Sequence, residues 1–184
     1  LKKLGTKISI KKNYCEIIGN GLNSFFLKKN LTLNAGNSGT LGRLILGLLI
    51  HYPHKVKLVG DKSLSKRDFS RVINPLKNFG ANFYQSKKSS LPLYIQGTKY
   101  VKPIKYYENR GSAQCKSSVM LAALNTPGKT FIKAKKSRDH TEILFKHLKI
   151  PIKIKKKKNC DLIEVEGKQN FRAFNYKIPA DISS

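Results

Sequence analysis

Asn37-Ser38-Gly39-Thr40 runs straight into an apolar stretch, Leu41 to Tyr52, and that order of residue types suits the capture of a small anion. The first turn of a helix leaves backbone N–H groups without intrahelical partners, and the helix dipole adds positive potential there. Gly39 removes the side chain where a ligand would approach those groups, and Arg43 follows one turn in. An ordinary N-cap by Asn37 or Ser38 accounts for the same residues, and the spacing leaves both readings open. Gly111-Ser112-Ala113-Gln114 repeats the arrangement ahead of a second apolar stretch, Ser112 to Leu124. There Ser112 offers a hydroxyl, Ala113 a backbone N–H, and Gln114 an amide able to serve two ligands at once.

Arg67 and Arg138 are each followed by aspartate. A guanidinium grips a carboxylate or phosphate through two parallel charge-assisted bonds. Asp68 and Asp139 read as caps of the helices that follow. Ser112 does not read as a nucleophile, because no histidine stands at a motif distance to activate it. His140 reads as a surface or capping residue. No pair of carboxylates stands out as general acid and base. Cys15, Cys115 and Cys160 are widely spaced, without a CxxC pair or metal-ligand spacing, so no metal and no cofactor is expected. They read as reduced cytosolic thiols, with Cys115 a small core residue. The chemistry on offer is the holding of anions.

Alternating short strands and helices must position these residues, which predicts an α/β fold. Lys7 to Ile10 and Tyr14 to Ile18 read as a strand pair. Leu41 to Tyr52 reads as a helix buried nearly all round, with Leu41, Leu44, Ile45, Leu46, Leu48 and Leu49. Val56 to Val59 is a strand. Phe69, Val72, Ile73, Leu76 and Phe79 share one face of a helix that Gly80 ends. Strands follow at Ala81 to Tyr84 and Leu93 to Ile95. The second half repeats the order. It has a helix from Ser112 to Leu124, a strand at Thr130 to Lys133, and an amphipathic helix carrying Ile143, Leu144 and His147. Strands at Ile152 to Ile154 and Leu162 to Val165 close it. Arg67-Asp68 and Arg138-Asp139 hold the same place 71 residues apart, so the chain reads as two copies of a βαβαββ unit.

The formal net charge of the 184 residues is +27. Lysines far outnumber the six arginines and are scattered, apart from Lys155 to Lys158. No RNP-like or helix-turn-helix pattern accompanies them, so solvated lysine faces are favoured over nucleic-acid binding. The field still helps to recruit anions. The longest apolar run, Leu44 to Ile50, is too short to cross a bilayer. Leu1 at the start, Met120 as the only methionine, and a closing Ile178 to Ser184 that reads as a strand end and helix cap together predict a piece of a longer chain.

Several segments together resemble the 5-enolpyruvylshikimate-3-phosphate (EPSP) synthase family. Leu33 to Thr40 with Arg43 is similar to its glycine-rich motif, and Gly60 to Arg67 to its second motif. Ser112 to Ser117 resembles the third, Ser137 to Glu142 the fourth, and Ile178 to Ser184 the strand that re-enters the other lobe. The resemblance implies an enolpyruvate transferase lobe built from repeated βαβαββ units. Residues 1–177 would be most of the N-terminal substrate-binding lobe. Its two repeats would lie at about 35–105 and 106–177, preceded by strands of a partial unit, and 178–184 would start the crossover.

The implied reaction moves the enolpyruvyl group of phosphoenolpyruvate to the 5-hydroxyl of shikimate 3-phosphate, releasing phosphate, on the route to chorismate and the aromatic amino acids. The resemblance implies Gly39, Arg67 and Gln114 at phosphoenolpyruvate. It implies Ser112, Ala113, Gln114 and Arg138 at shikimate 3-phosphate, with Asn37, Thr40 and Arg43 in support. It implies no catalytic acid or base within this chain. It also implies a cytoplasmic protein, monomeric when full length, with no membrane and no specific nucleic-acid partner. The small Gly39 implies sensitivity to glyphosate, a phosphoenolpyruvate mimic, in the full-length parent.

Two departures stand out. Asp68 replaces the usual proline and puts a carboxylate beside Arg67, and Ala180 replaces a usual glycine. UDP-N-acetylglucosamine enolpyruvyl transferases, of the same fold, match the Ser63 to Arg67 and Ser137 to Glu142 segments less well. A basic nucleic-acid-binding module is the rival from another class.

Overall fold

The computed structural model describes residues 1–22, 24–26, 28–85, 90–170 and 172–178. A short 3-10 turn, Lys2–Leu4, leads into an antiparallel hairpin of β1 (Lys7–Ile10) and β2 (Cys15–Ile18). Two units of one design follow. The first is β3 (Thr32–Asn34), α1 (Gly39–Leu49), β4 (Lys55–Val59), α2 (Ser70–Asn78), β5 (Asn82–Gln85) and β6 (Leu93–Gln96). The second is β7 (Lys105–Glu108), α3 (Ala113–Leu124), β8 (Lys129–Lys135), α4 (His140–His147), β9 (Ile152–Lys156) and β10 (Cys160–Glu166). The sheets run β3-β4-β6-β5 and β7-β8-β10-β9, with the first pair parallel and the others antiparallel in each. The repeated βαβαββ order is therefore present in both chain order and sheet order.

Side chains on a strand alternate between faces, and these strands use the alternation to separate core from charge. Thr130, Ile132 and Ala134 of β8 point to the core, while Lys129, Phe131, Lys133 and Lys135 face out. The lysines are in large part the solvated faces expected from their scatter. Several lie over tyrosine rings, as Lys55 does over Tyr84 and Tyr94 at 4.9 and 4.7 Å.

The helices are packed against the inner sheet faces. On α2 the expected face is the buried one: Phe69, Val72, Ile73, Leu76 and Phe79 are 0–4% exposed. On α1 the expected burial all round fails at Leu41, which is 45% exposed, and the helix starts two residues earlier, at Gly39. On α4 the expected face is wrong. Ile143, Leu144 and His147 lie outward, and the buried residues are Glu142 and Phe145. The cause is an ion pair between Glu142 and Lys116 of α3, which puts two charged residues where the periodicity demands apolar ones. His147 instead meets the rings of Phe174 and Tyr176.

Each second helix ends in a left-handed residue, Gly80 (φ 113°) after α2 and Lys149 (φ 56°) after α4, and Gly5 (φ 84°) ends the first turn likewise. Each closing hairpin ends in glycine. A Cβ on Gly97 would overlap carbonyl oxygens of Leu49 and Ile50, and one on Gly167 those of Ala123 and Thr126. A Cβ on Gly19, at the end of the β1–β2 hairpin, would meet none of the described residues within 4 Å. Residues 172–178 carry no strand, so Ile178 is not the strand end expected, and Pro179 to Ser184, with Ala180, lie outside the described residues.

Candidate functional site

Helices α1 and α3 run side by side in the same direction. Thr40 touches Gln114, Arg43 and Gly47 meet Ser118, and His51 meets Ala122, so the contacts climb both helices in step. Gly47 lets the backbones touch: a Cβ there would overlap the Ser118 carbonyl oxygen. The Ser118 hydroxyl donates to the Arg43 carbonyl at 2.9 Å. Both N-termini thus open at one place.

Each is capped by a serine. Ser38 Oγ accepts from Leu41 N at 3.1 Å, and Ser112 Oγ accepts from Cys115 N at 3.3 Å. The N-cap reading of the first loop is correct for Ser38, and it leaves the anion reading intact. Among the described residues, the N–H groups of Gly39, Thr40, Ala113 and Gln114 have no protein partner. Accepting a cap bond uses only a lone pair, so the Ser112 hydroxyl keeps its proton to donate.

Arg43 joins the loops. Its Nη1 donates to Gln114 Oε1 at 2.7 Å, its Nη2 to the Asp68 carbonyl at 3.3 Å, and its guanidinium lies 5.3 Å from the Phe69 ring centre. Gln114 Nε2 in turn donates to Thr40 Oγ1 at 2.8 Å. The Gln114 amide is thus engaged at both ends by protein, with one N–H left over. Arg67, ending the turn Leu64–Lys66, completes the cluster. A Cβ built on Gly39 would stand 3.0 Å from Nη1 of both Arg43 and Arg67. No hydrogen bond or ion pair ties the Arg67 guanidinium to other described side chains.

Asn37 donates to the Asp61 carboxylate, which also accepts Leu64 N at 2.7 Å. The Leu64 N–H and then the Asn37 amide hold Asp61 below the usual carboxylate range, so this acid is a brace and stays ionised. Asp68 takes the capping role expected of it: its carboxylate accepts the Ser70 N–H at 2.8 Å and the Ser70 hydroxyl at 2.7 Å. The expected competition with ligands for Arg67 therefore has no hydrogen bond behind it. Asp139 does not cap α4 with its side chain. Lys156 on β9 draws the carboxylate to 3.3 Å, a charge-assisted partner that an N–H does not match.

Around the second loop, buried Glu108 accepts Ser112 N at 2.9 Å and Arg110 N at 3.2 Å, and pairs with Arg71 at 3.3 Å. Arg138 is exposed, and its carbonyl accepts Lys116 Nζ at 3.0 Å. Just before it, the Ser137 hydroxyl oxygen is buried without a hydrogen-bond partner among the described residues. Glu108, Lys116 and Ser137 were not legible as site residues in sequence. A carboxylate four residues ahead of the second loop, in a chain with ten acids, was the one available signal. Cys115 is buried and His140 exposed, as expected. No His, Cys, Asp and Glu group among the described residues is arranged to hold a metal.

At the far end of α1, His51 donates from Nε2 to the Ala122 carbonyl at 3.2 Å. Burial pulls its pKa from 6.5 to about 4, outweighing that hydrogen bond. The unfolded chain therefore binds a proton that the folded chain refuses between those values. We expect stability to be lost as the pH falls through that window, and His51→Gln, which keeps a donor, to flatten the loss. Urea midpoints measured from about pH 7 down to about pH 4 check this; identical slopes in both proteins would refute it.

A family described as EPSP synthase (3-phosphoshikimate 1-carboxyvinyltransferase) matches residues 1–184. A 3-phosphoshikimate 1-carboxyvinyltransferase of Caldicellulosiruptor saccharolyticus is 40% identical over 185 residues, covering all of this chain and 42% of that protein. One of Ruthia magnifica is 43% identical over 183 residues, covering 98% of this chain and 40% of that protein. The EPSP synthase of Acinetobacter baumannii superposes with a TM-score of 0.87 at 32% identity, over 99% of this chain and 40% of that one. The chain thus spans about two fifths of the length of the proteins it matches. No helix among the described residues is long and apolar enough to cross a membrane.

Proposed function

The chain belongs to the EPSP synthase family, and from that premise we propose that its two helix N-termini hold the two substrates of a 3-phosphoshikimate 1-carboxyvinyltransferase side by side. Gly39, Arg67 and Gln114 take phosphoenolpyruvate. Ser112, Ala113, Gln114 and Arg138 take shikimate 3-phosphate. Asn37, Thr40 and Arg43 brace the first loop. The observation that carries this reading is the Arg43–Gln114–Thr40 bridge, which makes two anion loops from two units into one site. N–H groups and the Arg67 guanidinium that have no hydrogen-bond partner among the described residues are gathered there, with Asp61 already engaged, which supports the holding of anions.

In the complete enzyme, the 5-hydroxyl gives up its proton as its oxygen bonds to C2 of phosphoenolpyruvate and C3 gains a proton. The tetrahedral adduct then loses phosphate from C2 and a proton from C3, which restores the double bond. Residues of this chain orient the two anions and balance their charge, and groups from the rest of the enzyme move the protons. Residues 1–177 form most of the N-terminal lobe. The β1–β2 hairpin closes a third, partial unit; its left-handed Gly5 and terminal Gly19 stand where Gly80 and Gly97 stand in the next. The enzyme is cytoplasmic, works as a monomer without a cofactor, and has no specific nucleic-acid partner.

Calorimetric titration of the chain with shikimate 3-phosphate and then phosphoenolpyruvate tests this. Saturable binding of both without product is expected. Product formation would show that this chain moves the protons itself. Failure of both ligands to bind, with tight salt-dependent binding of random DNA, would favour a nucleic-acid module. Gly39→Ala is expected to weaken phosphoenolpyruvate about tenfold and shikimate 3-phosphate little, because both guanidinium groups must retreat from the new methyl. The same titrations check it.

A further inference from the structure

We infer that Lys116, locked by Glu142, is a positioning residue that fixes the Arg138 segment for its anionic ligand. Lys116 is 1% exposed and Glu142 3%, and they form an ion pair between α3 and α4. Burying two charges is costly, and a well-packed apolar pair of similar volume serves stability as well or better. The pair therefore calls for a reason beyond stability.

The first unit supplies a comparison inside the same chain. Lys116 is the fourth residue after the capping Ser112, whose carbonyl accepts its N–H at 3.1 Å. Gly42 holds that place after Ser38, with its N–H on the Ser38 carbonyl at 3.0 Å. A Cβ on Gly42 would stand 3.4 Å from the Phe69 ring, so this position is filled by an aromatic ring and needs no charge. The unit design does not demand Lys116.

What both units share is a tether. A cation from the start of the buried helix holds a backbone carbonyl of the Arg-Asp loop: Arg43 reaches the Asp68 carbonyl at 3.3 Å, and Lys116 reaches the Arg138 carbonyl at 3.0 Å. In the first unit the tethering Arg43 is itself fixed by Gln114 and Phe69. In the second, Glu142 does that work for Lys116. A further contact, Ser117 Oγ to Thr141 Oγ1 at 2.7 Å, holds the start of α4 beside α3. The tether leaves the Arg138 guanidinium exposed while its backbone is held, which is what a pre-organised anion ligand needs.

Removing Lys116 alone would leave Glu142 buried and unpaired, so the test uses the double variant Lys116→Met/Glu142→Leu beside the parent chain. Two measurements are made on the whole chain: amide hydrogen exchange, and titration with shikimate 3-phosphate. The role of that ligand rests on the proposed function; the exchange measurement does not. We expect exchange to quicken at Arg138, Asp139 and His140 with no change at Arg67. We expect shikimate 3-phosphate affinity to fall about tenfold, and phosphoenolpyruvate affinity to hold. Unchanged exchange at Arg138 to His140 overturns the inference, and so does unchanged shikimate 3-phosphate affinity where the parent binds it. Exchange that quickens evenly over α3 and α4 also overturns it, by showing a merely structural pair. Local quickening in a parent that binds no shikimate 3-phosphate supports the tether and sinks the functional reading.

Discussion

Arg67→Ala is expected to lower the affinity for phosphoenolpyruvate about a hundredfold, the largest effect of any single change at the site. Among the described residues the guanidinium has no hydrogen-bonded partner, and it converges with Arg43 on the space above Gly39. Its bonds are therefore available to a ligand in full, and removing it leaves no buried partner unpaired to disturb the fold. Each charge-assisted bond contributes about 1.5–3 kcal/mol, and a guanidinium offers a carboxylate or phosphate two. Arg67→Lys should recover part of the loss, since a point charge remains without the planar fork. Calorimetry with phosphoenolpyruvate checks both variants, with unfolding midpoints as the control. A loss of less than about threefold for Arg67→Ala would remove Arg67 from the site.

Gly47→Ala is expected to cost about 3 kcal/mol of stability, near the upper end for overpacking, because the added methyl meets backbone. The Ser118 carbonyl belongs to α3 and cannot rotate aside as a side chain would. The helices must separate, and the Ser118 hydroxyl must then lose the Arg43 carbonyl that it holds at 2.9 Å. A fall in melting temperature on the order of 10 °C is expected, with weaker binding of both anions. Thermal unfolding followed by circular dichroism measures it. Melting within about 2 °C of the parent would show that the crossing has slack.

Local features of the fold were legible, and contacts between distant segments were not. The α2 face read correctly because Phe69, Val72, Ile73, Leu76 and Phe79 recur at helical spacing and all are buried. The repeat read correctly because Arg67-Asp68 and Arg138-Asp139 mark the same corner of two units. β3 and β7 escaped because three or four residues carry too little pattern, and in β7 the sequence Lys-Tyr-Tyr-Glu turns its carboxylate inward. α4 misread because its inward face holds an ion pair whose partner lies 26 residues upstream. The site followed the same rule. The two capped N-termini could be picked out from serine and glycine before apolar runs. The Arg43–Gln114 and Gln114–Thr40 bonds join residues 71 and 74 apart, and nothing in local spacing announces them.

The touching backbones at Gly47 and Ser118 have a consequence for selectivity. Side chains of different volume can shift a helix–helix spacing, but backbone on backbone leaves no adjustable layer at the point where Gly47 of α1 meets Ser118 of α3. On the proposed placement of the substrates, the interval between the two loops would then be a fixed ruler. Compounds whose acidic groups match that interval would reach both loops together. A molecule with the same groups set one bond farther apart would meet one loop or the other, so the crossing would screen candidates by length before any chemistry begins.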